Sequence, residues 1–337
     1  MRKSVLIPLV LMGTLRMAGA ISITIDYSNP SDSFFTAQAQ ATLAKAAADV
    51  SFAITTSLSA LNQDVYTGSV GGSTATADWR LTYKNPYSAT ATVTQNTFSF
   101  AQDEVVVKVG SRSLSGSTLG QGGPGGGGAS LSGGSASSES FAASVDAMEL
   151  ASNAGMLRGG PTLSGISGSF GPETYELSYG YSLSSLVFNS DPSTFWNFSY
   201  NDLPTTSQSD FYSVAVHELL HALGFGSAGT WTEKVSGTDW SGAAVNALLG
   251  TGTDVVDAGG AHVATGLQGF AIIDGVVTAT KQDAVMSPSI TQGTRKYITD
   301  LDLAFLSDMG WEVVPEPSTS ILLLSAGGLL LLGRRRS

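Results

Sequence analysis

The sequence predicts an α+β domain in which a twisted mixed sheet carries a long N-terminal helix, a central histidine-bearing helix and a C-terminal helix. Three observations support this. Short stretches such as "ISITIDYS" and "DEVVVKVGSRSL" alternate or cluster apolar residues as strands do. The segment 35–61 is alanine-rich, with Leu43, Ala47, Val50 and Ile54 at helical spacing. Two later segments, around residues 210–224 and 299–310, have a capping residue at one end and a glycine at the other.

In chain order, "ISITIDYS" is the first strand and "FTAQAQATLAKAAADVSFAITTSLSAL" the long helix. "ADWRLTYKN" and "DEVVVKVGSRSL" follow as strands. "GQGGPGGGGASLSGGSASS", within about 119–137, is expected to be a flexible loop, because glycine and serine offer nothing to pack. "SSLVFNSD" is a further strand. Ser209 or Asp210 can cap a helix over about 210–223 that ends at Gly224. Thr299 can cap a last helix over 300–308, with Asp302 placed as in a capping box and Gly310 closing it.

The chain has 337 residues, enough for a substantial core, with 42% hydrophobic but only 13% charged residues. It has no cysteine, which excludes disulfides and thiolate metal sites. Net charge is −11, and residues 21–314 alone carry 10 Lys+Arg against 26 Asp+Glu. Such a domain repels nucleic acid and anionic lipid. No loop has calcium-ligand spacing.

The two ends read as addresses. Residues 1–20, "MRKSVLIPLVLMGTLRMAGA", have a basic start, a short apolar stretch and an Ala-Gly-Ala ending, as a signal peptide does. Residues 315–337 run from Pro315-Glu316-Pro317 through an apolar stretch, Ile321 to Leu332, to three arginines. This order resembles the PEP-CTERM sorting signal of Gram-negative bacteria. The resemblance implies transient residence in the inner membrane through a short helix, processing by an exosortase, and an envelope or extracellular destination.

The chemistry concentrates in "DFYSVAVHELLHALGFGSAGTW", residues 210–231. His217 and His221 are four apart and so share one helix face, from which both imidazoles can reach one metal ion. Glu218 points beside that face, where it can accept a proton from water. A bare H-E-x-x-H has false positives, but this one lies in an amphipathic helix of a chain with only three histidines, with a glycine three residues after the second.

The stretch resembles the motif of the metzincin zinc peptidases, H-E-x-x-H-x-x-G-x-x-H, at His217, Glu218, His221 and Gly224. The last position is Ser227, a poor zinc ligand. Leishmanolysin-type members have a long insertion before the third histidine, and that resemblance implies His262 as the third ligand. Asp239, Asp254 and Asp257 remain as carboxylate alternatives. A gluzincin-like third ligand would have to come from Glu233, Glu312 or Glu316, none of which is well placed. Met286-Ser287-Pro288 resembles the metzincin methionine turn, which implies that Met286 supports the site without ligating. The resemblance also implies an edge strand that binds extended peptide, expected within "GPETYELSYGYSLSSLVFN".

The resulting expectation is an exported zinc endopeptidase with His217, His221 and His262 as ligands and Glu218 as general base, acting on a peptide or protein substrate. The alternative is a non-catalytic protein of the extracellular or exopolysaccharide matrix that retains a metal site for structure.

Overall fold

The computed structural model describes residues 21–314 apart from Ser28, Pro30 and Ala136. The expected signal peptide and the C-terminal sorting segment therefore lie outside the described residues. The first half runs β1 (Ser22–Tyr27), α1 (Ala37–Ala53), β2 (Val65–Val70), β3 (Ser73–Lys84), β4 (Thr92–Gln95), β5 (Glu104–Arg112), β6 (Gly120–Pro124), β7 (Gly126–Gly134) and α2 (Ser138–Leu157). Then come β8 (Ser164–Phe170), β9 (Glu173–Tyr179), β10 (Leu183–Asn189), α3 (Phe211–Ala222), α4 (Gly229–Thr232), α5 (Ala243–Leu249) and α6 (Asp300–Asp308). A hairpin of Gln268–Ile273 and Val276–Asp283 precedes α6. The fold is thus mixed α+β.

The central sheet has the order β1-β5-β10-β6. β1, β5 and β10 are parallel, and β6 runs antiparallel along β10. All seven residues of β10 are buried, as expected of an inner strand covered on both faces. A second, antiparallel sheet places β3 between β7 on one side and β2 with β4 on the other. α2 packs on this sheet, while α1 packs against α3. One buried apolar cluster takes in residues from Ile21 to Trp311.

α1 starts where Thr36 accepts the Ala39 N–H. It buries Ala39, Leu43, Ala46, Ala47, Val50 and Ala53, a stripe narrow enough for α3 to approach closely. The helix is shorter than expected and stops at Ala53. Ile54 is extended and bridges Val313, and the Thr55 N–H donates to the Glu312 carbonyl at 2.7 Å. Tertiary pairing thus replaces helix at a run of β-branched residues.

The glycine-rich segment is not a flexible loop but forms β6 and β7. Its glycines allow contacts that side chains would prevent. β6 lies against α3 so closely that a Cβ at Gly120 would sit 2.7 Å from Glu218 Oε1, and one at Gly122 would collide with the Glu218 carbonyl oxygen. The edge strand also differs from expectation. β10 is internal, β8 and β9 form a separate hairpin, and β6 is the outer strand beside the histidine helix. α2, unassigned from the sequence, carries serines on its buried face, and Ser152 accepts the Trp79 indole N–H at 2.7 Å.

Candidate metal centre

α3 begins at Asp210, whose carboxylate accepts the Ser213 N–H at 3.0 Å and the Ser213 hydroxyl at 2.6 Å. The Arg295 guanidinium pairs with the same buried carboxylate at 2.8 Å and also donates to the carbonyls of Ser199, Tyr200 and Asp202. The start of the helix is therefore anchored to two distant segments. At its end, Leu223 caps the helix and Gly224 turns the chain at φ +95°. A side chain at Gly224 would collide with the Tyr181 hydroxyl. Gly226, two residues on, also has positive φ, +82°. A Cβ there would meet the Ala261 carbonyl at 2.5 Å. This second glycine lets the His262 loop lie against the helix exit, a role the sequence reading did not assign.

The three histidines converge. His221 Nε2 lies 3.1 Å from His217 Nε2 and 3.2 Å from His262 Nε2. Nitrogens sharing one tetrahedral zinc at about 2.0–2.1 Å would stand roughly 3.3 Å apart. The opposite ring nitrogens are already engaged. His217 Nδ1 donates to the Val285 carbonyl and His221 Nδ1 to the Phe225 carbonyl, each at 2.8 Å. A carbonyl can only accept, so both protons sit on Nδ1 and both Nε2 atoms present lone pairs. His262 Nδ1 faces Asp257 Oδ2 at 3.8 Å. The bare Nε2 atoms of His217 and His221, 3.1 Å apart, repel one another unless a cation lies between them, so the donor set fits a divalent metal such as zinc.

Electrostatics favour the neutral rings that a metal requires. Burial, then the neighbouring His221, pushes the His217 pKa well below its usual value. Burial lowers His221 to about 4. It also lowers His262, against the pull of Asp257. Glu218 is only 5% exposed, and burial raises its pKa to about 8, against one backbone hydrogen bond from Gly122. Glu218 lines a cavity of about 480 Å³ together with the three histidines, the β6 backbone and residues 287–290.

The other residues considered as ligands lie elsewhere. Among the described residues, His217, His221 and His262 form the only group of three or more candidate ligands that converge. Asp239 accepts the Asp254 N–H, and Asp254 accepts the Thr238 hydroxyl. Asp257 instead shapes the loop, accepting the N–H groups of Gly259, Ala261 and His262. Glu233 and Glu312 do not join the group, and Glu316 lies outside the described residues.

Met286 is fully buried, and its carbonyl accepts the N–H of Val263, next to His262. Behind it stands Asp302. Its carboxylate completes the α6 capping box with Thr299 and also accepts the N–H groups of Val285 and Met286, each at 3.1 Å. Val285 in turn holds His217, so one buried carboxylate braces the backbone behind two of the three histidines. The sequence showed the cap but gave no sign of the brace.

Comparison with known proteins finds the PEP-CTERM protein-sorting motif at residues 313–337. No curated protein and no solved structure matches the chain. The motif identifies a protein exported to the cell envelope or extracellular space and processed by an exosortase. Among the described residues no helix is long and apolar enough to cross a membrane.

Proposed function

We propose that the domain is a zinc-dependent endopeptidase of metzincin type, acting in the envelope or outside the cell. The observation that carries this reading is the convergence of three Nε2 atoms beside a buried glutamate in an open cavity. His217, His221 and His262 would hold the metal. Bound there, zinc would supply a Lewis acid that acidifies water and polarises a carbonyl. Glu218 takes the proton from the attacking water and passes it to the leaving amine. Burial raises its proton affinity toward neutrality, which suits both halves of that transfer. β6 has its outer edge free of strand partners among the described residues and lies along the same cavity. An extended peptide can add there as a further strand. Met286 and Gly224 support the site from behind and from the helix end.

The test is casein or gelatin cleavage by the zinc-loaded chain and by Glu218→Ala. Wild type should cleave, with the variant slower by about 10²-fold or more. Equal cleavage by both would overturn the reading. Stoichiometric zinc with no cleavage by wild type would favour a structural metal site in a matrix protein instead.

A further inference from the structure

Lys296 is a buried cation that the reaction above does not use. It is 6% exposed. Its ammonium donates to the Ser289 carbonyl at 3.0 Å and, weakly, to the Ala284 carbonyl at 3.5 Å. Among the described residues no carboxylate forms an ion pair with it. Asp283 and Asp302 influence it from further away, and both Asp302 oxygens are occupied by Thr299, Val285 and Met286. The ammonium thus has two neutral acceptors and no carboxylate in contact, and burial lowers its pKa against the more distant pull of Asp283 and Asp302.

Its position is tied to the histidine helix. The Lys296 N–H donates to Ser213 Oγ at 2.7 Å, and Ser213 stands one helical turn before His217 on the same face. Lys296 lines the cavity that holds the three histidines, and its ammonium is gripped by the 284–290 segment that forms one wall. Among the lining residues it is the only lysine or arginine, and Glu218 is the only carboxylate. A buried lysine that lines a ligand cavity, with one acceptor short of its three donors and no carboxylate in contact, is matched by a ligand carboxylate.

We infer that Lys296 is a specificity-determining residue that selects peptides presenting a carboxylate beside the scissile bond, from an Asp or Glu side chain or from the peptide's own C-terminus. The inference rests on the peptidase reading above.

Binding is measured first, so that the result does not depend on turnover. The probes are Ala-Ala-Glu-Ala-Ala and Ala-Ala-Gln-Ala-Ala, each with a free or an amidated C-terminus. They are titrated into the zinc-loaded full chain carrying Glu218→Gln, with Lys296, Lys296→Arg or Lys296→Met. With Lys296, a carboxylate-bearing probe should bind about tenfold or more tighter than its neutral counterpart. Arginine should retain that preference and methionine abolish it, while amidation shows which carboxylate is read. Equal binding of all four probes to the Lys296 form would overturn the inference with no need for a variant at that position. A preference that survives Lys296→Met in a folded chain would also overturn it. A wild-type chain that shows the preference but cleaves no peptide would refute the peptidase reading and leave the carboxylate site standing. Cleavage of Glu and Gln peptides at equal rates, with equal binding, would do the reverse.

Discussion

At the scale of single residues, the site depends on which nitrogen carries each proton. The Val285 and Phe225 carbonyls place the protons of His217 and His221 on Nδ1, leaving Nε2 for a metal. Glu218 is set in the opposite sense, since burial favours its protonated form. A carboxyl whose folded pKa is raised, here from 4.5 to about 8, has its favourable contribution below the lower value and loses it as pH climbs to the higher. In the metal-free protein, Glu218→Gln should therefore stabilise the fold at pH 8, on the order of 4 kcal/mol, with the gain vanishing near pH 4. Thermal unfolding of both apo forms across that range checks this. The histidines have the opposite sign. Their lowered pKa values mean that stability is full above about pH 6.5 and declines as pH falls toward 4. Zinc should be released over the same acid range, which equilibrium dialysis can follow.

At the scale of elements, β6 and α6 carry consequences that sequence alone did not convey. His217, Glu218 and His221 were legible because their relation is local to one helix. Glycine has no side chain with which to signal periodicity, so the packing of 120–134 could not be read. Its strands are dictated by β10, β3 and the closeness of α3. Gly122→Val should push β6 away from the Glu218 backbone, costing about 1–3 kcal/mol and most of the cleavage activity. Urea unfolding and casein cleavage would show both. α6 was legible from Thr299 and Asp302, but its link to the histidine cluster was not, because the Val285 and Met286 N–H groups are ordinary backbone. Asp302→Asn should weaken zinc binding by about 10–100-fold, more than loss of a helix cap alone explains. Thr299→Ala provides the comparison, since it removes a cap contact and leaves the brace.

At the scale of the molecule, two parts of one chain answer to different demands. The sorting motif at 313–337 determines where the protein goes. The apolar cluster from Ile21 to Trp311 and the stitching of Thr55 to Glu312 and of Val314 to Ala53 complete the domain at the motif's first residues. A chain ending at Val314 should therefore keep the melting temperature and zinc stoichiometry of the full chain, as differential scanning calorimetry with metal analysis would show. The least local feature of the site, His262, comes from 41 residues beyond His221. Helix periodicity could not place it. It was expected from the resemblance to peptidases with a long insertion before the third histidine, in a chain that has three histidines in all and a serine, Ser227, at the motif position. The central claim is that these three rings make one metal site. The most direct measurement is zinc titration of the wild-type chain and of His262→Ala. One zinc per wild-type chain, bound about 100-fold or more tighter than by the variant, is the predicted result. Equal affinity in the two proteins would contradict it.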